Sequence, residues 1–325
     1  MTDRLTLLAC LVAVSATCEA TAADLVFGPF KSSIFAGVET RARVRIVSNS
    51  KATGTLHWSH SVEQRTLARG RVEVRNGIGE IVLNPPPLRD GVVVKTMLSA
   101  EFVSADGSSG ETLDQPVWLF PVNPIEGQTE WARQLDVELL DPEGDTEHAL
   151  SSIEFPYRKV RTPGADSDGI LLIGEGVSLT RSRGLAASAL QAAAAGRRVV
   201  MLAPVEGSLP LPIADDDVPA ASVGELRFGR TGIITELDKR LDTTGWPAGG
   251  LLIESRRGRI EAAISDESQA WPWLEIRFPQ TQGAFVMCGF KVVDLWDRGP
   301  TPRYLLLRVF ESLERKKQDA AGERL

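Results

Sequence analysis

The sequence predicts a multidomain protein in which an all-β domain precedes an α/β domain. Residues 24–123 contain short segments that alternate apolar and polar side chains, the period of a strand with one solvated face. Residues 131–315 instead alternate continuous apolar runs with helical stretches. Two prolines in the segment 121–124 separate these patterns and cannot continue a β ladder. The 325 residues suffice for two separate cores.

The first domain, residues 24–123, is predicted to form an immunoglobulin-like β-sandwich. Asn76-Gly77 lies between two alternating runs and is a strong hairpin signal. The domain contains no cysteine, so only the architecture is predicted and not the disulfide of antibody domains. The predicted strands are 38–46, 54–62, 71–76, 78–83, 92–103 and 112–120.

Residues 124–130 are predicted to be a linker, and 131–315 an α/β domain with right-handed crossovers. The run Ile170–Ile173 is apolar throughout, as expected of a strand buried on both faces. An alanine-rich helix follows at 185–195 and stops at Gly196. Further strands are predicted at 135–140, 157–160, 198–203, 250–254, 273–278 and 284–289, with helices at 147–153 and 302–315 and a charged, frayed tail at 316–325.

Residues 1–23 are predicted to be a secretory signal peptide. Arg4 precedes a mostly apolar run, and Ala20-Thr21-Ala22 is a small-x-small cleavage pattern. The run is too short for a permanent membrane helix, so we expect a periplasmic or secreted protein without an integral membrane segment after cleavage. A lipoprotein anchored through Cys18 is disfavoured, because residues 15–17 lack the usual aliphatic side chain.

Composition excludes several classes of protein. Cleavage would leave Cys288 as the sole cysteine, which rules out an internal disulfide and favours a bacterial exported protein. The net charge of −7 argues against nucleic acid as a partner, since binding phosphates needs a clustered basic face.

A resemblance to a known family covers residues 131–315 and is carried by 168–176, the helix to Ala195, 196–202, 283–290 and 302–307. On these residues the second domain resembles the class I glutamine amidotransferase-like superfamily, which has a flavodoxin-like three-layer α/β fold. More narrowly, it resembles the non-catalytic version that serves as the trimerisation domain of some bacterial β-galactosidases and occurs in related exported proteins. The first domain resembles immunoglobulin-like modules that accompany glycoside hydrolase barrels, although this chain has no room for a barrel.

Active members of that superfamily place a cysteine in a sharp strand-to-helix turn, and the resemblance implies such a turn after Ile173. Here Glu175 occupies the turn, and Ser178 is better interpreted as a helix-start residue. We therefore predict no catalytic residue. Leu179 replaces the third glycine of a dinucleotide loop, so no cofactor is predicted.

Five residues are candidates for binding a ligand. Glu175 should lie at the carboxyl ends of the strands, where open α/β sheets bind ligands, or else be a solvated turn residue. Trp271 and Trp273 should turn both rings the same way and suit a sugar face, a protein surface or the core. Asp294 and Asp297 could act as paired carboxylates, or cap the helix that follows.

No metal site is predicted. His57 and His60 are three apart on a strand and should face opposite sides of the sheet. The run Asp215–Asp217 lacks further oxygen ligands at the spacing that calcium requires. His148 should be a surface residue and Cys288 an inert core residue.

These patterns favour an exported, non-catalytic binding or assembly protein. Its partner would be a protein or a saccharide, and a homo-oligomer is compatible with the sequence. An association with carbohydrate-degrading enzymes follows from the resemblance alone. The alternative is a glycoside or ester hydrolase that uses Glu175, Asp294 and Asp297. A periplasmic small-ligand binder is disfavoured because the two domains are unlike.

Overall fold

The structure is a computed structural model, and it describes ten stretches of the chain. The predicted signal peptide at 1–23 and the run Asp215–Asp217 lie outside them. The described stretches are 25–28, 31–47, 51–89, 91–105, 107–163, 167–212, 225–244, 250–256, 259–265 and 271–322.

The first half of the chain folds into two sheets with a common core. One sheet has the order β1-β3-β6 and the other β2-β8-β7-β4-β5. In β3, Ala42, Val44 and Ile46 are buried while the arginines between them are exposed, as the alternation predicts. The strands are β1 (Leu25–Phe27), β2 (Ser33–Phe35), β3 (Thr40–Ile46), β4 (Gly54–Val62), β5 (Arg65–Val74), β6 (Ile78–Leu83), β7 (Val94–Ser104) and β8 (Ser109–Phe120).

Sequence periodicity missed β1, β2 and the first half of β5. The strands β1 and β2 have three residues each, too few to show a period. The strand β2 pairs in parallel with β8 at the sheet edge, a long-range contact that no local pattern encodes. The other predicted strands of this half are confirmed within a few residues.

The second half is built around a seven-stranded sheet of order β10-β9-β11-β12-β18-β17-β14. The first five strands run parallel, β17 is antiparallel to β18, and β14 is antiparallel to β17. The strands β13, β16 and β15 form a separate antiparallel sheet. The elements are α1 (Thr129–Gln134), β9 (Glu138–Leu140), α2 (Asp145–Ser152), β10 (Arg158–Lys159), β11 (Ile170–Ile173), α3 (Leu185–Ala194), β12 (Arg198–Leu202), β13 (Ser208–Pro212), β14 (Glu225–Gly229), α4 (Gly232–Leu237), β15 (Gly250–Arg256), β16 (Arg259–Ser265), β17 (Trp273–Phe278), β18 (Gly283–Cys288) and α5 (Pro300–Gly322).

Both faces of the seven-stranded sheet are covered. In β11, Ile170 and Leu172 join the core beneath α1, α2, α4 and α5, while Leu171 and Ile173 join the core beneath α3. The helix α5 continues to Gly322, so the residues after 315 are largely helical and not frayed as predicted. The fold is therefore a β unit followed by an α/β unit.

The two units share a core at their junction. Phe120, the last residue of β8, packs with Tyr304 of α5 at 4.6 Å between ring centroids. The Tyr304 hydroxyl donates a hydrogen bond to the Pro121 carbonyl at 3.1 Å. Within the predicted linker, Ile125 is 2% exposed and belongs to the α/β core. This segment is thus packed against the fold along part of its length.

Arg303, near the start of α5, ties the junction together. Its guanidinium donates to the carbonyls of Val122 at 2.8 Å and Trp296 at 3.1 Å and to Asp297 Oδ1 at 2.6 Å. The same group lies 4.9 Å from the Phe35 ring centroid. One side chain therefore contacts β2, the exit of the β unit and the loop before α5.

Across the described stretches, every helix is either too short or too polar to cross a membrane.

Candidate functional site

The carboxyl ends of β9, β11, β12 and β18 meet at one edge of the seven-stranded sheet, which we call the crest. Glu175 lies there, two residues beyond β11, as the sequence predicts. Its carboxylate reaches the loop after β18, where Oε2 accepts a hydrogen bond from the N–H of Val293 at 2.7 Å and Oε1 one from Asp294 at 3.1 Å. Its own N–H donates to Thr146 Oγ1 at 2.8 Å. Glu175 therefore links the loop after β11 to the loop after β18 and to the first turn of α2.

Burial sets the electrostatics of Glu175, which is 9% exposed. Desolvation raises the pKa of this carboxyl, and the two backbone N–H groups only partly oppose the change. The nearby Asp294 also raises the pKa, and Lys291 lowers it. Glu175 is therefore not the solvated turn residue of the alternative prediction, because its carboxylate is buried and hydrogen-bonded.

The crest between β9 and β11 is filled by the protein's own groups. Asp141 follows β9, and its Oδ2 accepts a hydrogen bond from the N–H of Glu147 at 2.8 Å. A Cβ at Gly174 would lie 2.5 Å from Asp141 Oδ1 and 2.9 Å from Thr146 Oγ1. A side chain at this position would therefore force the Asp141 and Thr146 side chains to move, and both are hydrogen-bonded where they lie.

Asp294 and Asp297 have different hydrogen-bond partners in the structure. Both side chains are exposed, and the N–H of Asp294 is bound to Glu175. Asp297 pairs with Arg303 at 2.6 Å, so its carboxylate supports the junction at the start of α5. Glu175 and Asp294 lie near one another, whereas the partner of Asp297 is Arg303 of α5.

Trp271 and Trp273 occupy different environments. Trp273 is 1% exposed and belongs to the core beneath α5, so its ring is out of reach of a ligand. Trp271 is half-buried, lies 6.2 Å from the Phe228 ring centroid and is covered by the Arg230 guanidinium at 4.9 Å. Only Trp271 of the pair keeps an accessible surface.

The remaining nucleophile and base candidates have structural roles. Cys288 is 1% exposed, and burial raises the pKa of its thiol to about 12. Ser178 lies seven residues before α3 and closes a turn by accepting a hydrogen bond from the N–H of Arg181 at 3.0 Å, which corrects its interpretation as a helix-start residue. His148 is exposed on α2, as expected.

The two strand histidines face opposite sides of β4. His60 is fully buried and hydrogen-bonds Thr96 Oγ1 at 2.8 Å, while His57 is half-buried on the outer face. Desolvation lowers the pKa of His60, which favours the neutral ring. The described residues contain no group of three or more histidine, cysteine or acidic side chains placed to hold a metal ion.

Sequence reasoning missed a hollow of about 690 Å³ on the outer face of the five-stranded sheet. It is open to solvent and spans β5, β4, β7 and β8. Its principal polar residues are His57, Ser59, Arg69, Arg71, Ser99 and Glu101. The available signal was the alternation of polar residues along β4, β5 and β7, but their convergence depends on strand register.

No family model matches the chain, and no curated protein matches it. Solved structures show only faint similarity. An engineered protein is 13% identical over 30% of this chain and 20% of its own, with a TM-score of 0.23. A family 76 glycoside hydrolase from a bovine Bacteroides thetaiotaomicron strain is 11% identical. The match covers 43% of this chain and 26% of the hydrolase, with a TM-score of 0.24. A chain of the chaperone–tip adhesion subunit pre-assembly complex of Acinetobacter baumannii Csu pili is 12% identical. The match covers 31% of this chain and 58% of that one, with a TM-score of 0.21. The chain thus spans less than two thirds of each of these three structures.

Proposed function

We propose that this protein is an exported, non-catalytic binding or assembly protein whose α/β unit is a structural module. The observation that carries the proposal is the bridge made by Glu175. At the turn where active amidotransferase-like enzymes present a nucleophile, this chain has a carboxylate with both oxygens bound to backbone N–H groups. A group held in this way stabilises loops and is not free to attack a substrate.

The strand order supports assignment of the α/β unit to the flavodoxin-like class. Numbered along the chain, the five parallel strands β9, β10, β11, β12 and β18 lie in the order 2-1-3-4-5. This is the flavodoxin-like order, in which ligands bind at the switch point between the first and third strands. Here that point lies between β9 and β11, where Asp141, Thr146 and Gly174 fill the space. The two facing sheets of the first unit likewise support an immunoglobulin-like sandwich.

The proposed partner is a protein or a saccharide, met in the periplasm or outside the cell. The shared core at Phe120 and the contacts of Arg303 support a scaffold that holds its two units in a fixed arrangement. Such a scaffold suits assembly, including assembly with further copies of itself, better than it suits a hinged cleft.

A hydrolase remains the second candidate, and one observation favours it. The raised pKa of Glu175 is a property that enzymes give to a general acid. Asp294 lies close enough to Glu175 to contribute to that raised pKa. For catalysis, however, the carboxyl would have to leave both backbone donors.

The test compares the mature protein with its Glu175→Gln variant on a panel of nitrophenyl glycosides, nitrophenyl esters and glutamine. We expect both proteins to turn over substrate no faster than buffer, and the variant to melt at a lower temperature because one N–H loses its acceptor. Turnover by the native protein that Glu175→Gln abolishes in a folded variant would establish the hydrolase instead.

A further inference from the structure

The hollow on the outer face of the five-stranded sheet is a polar surface with a defined floor. Strand register places Ser59 opposite Ser99, and His57 opposite Glu101. These short or half-buried side chains lie on the central strands β4 and β7. The floor therefore presents hydroxyl, imidazole and carboxylate groups side by side.

Longer side chains form the rim of the hollow on the edge strand β5. Arg69 is opposite Ser59, and Arg71 is opposite His57. The two arginines are two residues apart, so they project from the same face about 7 Å apart. On the opposite side, Thr112 of β8 is paired with Glu101. Four adjacent strands make the hollow about 14 Å wide.

Neither rim arginine is neutralised within the described part of the protein. Arg69 and Arg71 are exposed, and no carboxylate among the described residues lies within 4 Å of either guanidinium. By contrast, Arg41 on the other sheet pairs with Glu80 at 3.0 Å, and Arg75, the residue after β5, pairs with Glu73 at 2.6 Å. Two free guanidinium groups on a chain of net charge −7 are suited to an anionic ligand that the rest of the surface would repel.

Size and lining restrict the class of that ligand. A hollow of about 690 Å³ has the volume of an organic ligand site and far exceeds one inorganic anion. Such sites are usually apolar, whereas this one is lined mainly by groups that hydrogen-bond. The ligand should therefore carry hydroxyl groups as well as negative charge.

We propose that the hollow binds an acidic saccharide, with Arg69 and Arg71 holding its carboxylates while Ser59, Glu101 and Thr112 hydrogen-bond its hydroxyl groups. This site rests on the proposed binding function and names the ligand class for the β unit. It leaves the crest of the α/β unit as a structural element.

The experiment measures binding of polygalacturonate, dextran and poly-L-glutamate to the full mature protein by affinity electrophoresis and calorimetry. Polygalacturonate should bind, dextran should bind far more weakly, and Arg69→Ala/Arg71→Ala should weaken polygalacturonate binding about tenfold or more. Glu101→Gln should weaken it less, since it leaves the cationic rim intact.

Arg43→Ala/Arg45→Ala is the matched control, because it removes the same charge from exposed positions on the other sheet. This variant should bind polygalacturonate like the native protein. Equal loss in both double variants, equal binding of dextran, or preference for poly-L-glutamate would overturn the acidic-saccharide site. The turnover assay on Glu175 is independent of these binding measurements. The acidic-saccharide site can therefore be disproved without disproving the non-catalytic function, and the reverse also holds.

Discussion

Glu175 shows how one side chain can hold together the loops at one edge of a sheet. Its carboxylate satisfies two N–H groups of the loop after β18, and its own N–H is satisfied by Thr146. The sequence places Glu175 at the turn after β11, but its acceptor role could not be predicted. Val293 lies 118 residues away, and only the tertiary fold brings its N–H to the crest.

The pH dependence of stability should reveal this buried carboxyl. Because its folded-state pKa is raised, the folded protein binds an extra proton between the ordinary glutamate pKa and the raised value. The stabilising contribution of Glu175 is therefore full below the ordinary value and declines as pH rises through the raised pKa. In urea titrations from about pH 4 to pH 8, the stability of native protein minus that of Glu175→Gln should fall with rising pH.

Thr146→Val is the control for that titration, because it removes the hydroxyl that binds the Glu175 N–H without removing a titrating group. It should destabilise the protein by about 1 kcal/mol at every pH. A native-minus-Gln difference that stayed constant or rose with pH would show that Glu175 is not held in the buried state described above.

At the scale of elements, close approach of backbone decides which residues are tolerated. Gly283 begins β18 beside the end of α3, and a Cβ there would lie 1.8 Å from the Ala193 carbonyl oxygen. A Cβ added at Gly232, the first residue of α4, would have no neighbouring atom within 4 Å. Alanine should therefore destabilise the protein at Gly283 and be tolerated at Gly232.

Gly283→Ala should destabilise the protein by about 3 kcal/mol, because α3 or β18 must move to admit the methyl group. Gly232→Ala should leave stability unchanged or raise it by up to about 1 kcal/mol, since alanine favours the helix. Chemical unfolding of both variants provides the comparison. If the two variants were equally stable, β18 and α3 would have to lie farther apart than in this structure, where a Cβ at Gly283 would be 1.8 Å from the Ala193 oxygen.

Elements with a period or a marked composition were predictable, and short ones were not. The strand β3 and the apolar strand β11 were found because burial dictates their patterns. The helix α4 was missed because six residues show no stable period. The polar hollow was also missed, because Arg69 and Arg71 look like ordinary surface residues until β5 is placed in register with β4.

For the molecule as a whole, the contacts at the junction predict that the two units unfold together. Arg303 makes hydrogen bonds to two carbonyls and one carboxylate, while its guanidinium covers Phe35 of β2. The native protein should show one calorimetric transition. Arg303→Lys should cost about 2–3 kcal/mol, because an ammonium cannot reproduce the planar set of donors.

Arg133→Lys provides a comparison, since Arg133 is exposed and its side chain pairs with Glu130 on the same helix. It should melt like the native protein. If Arg303→Lys melts as the native protein does, or if the native protein shows two separate transitions, the junction does not couple the units.

The burial of Ile125 and Phe120 has a practical consequence for dissecting the protein. A fragment that starts at the nominal domain boundary would leave Tyr304 facing water and its hydroxyl without the Pro121 acceptor. Anyone who expresses the α/β half alone should retain the end of β8. Fusions and protease sites belong elsewhere, at exposed turns such as the one near Gly107.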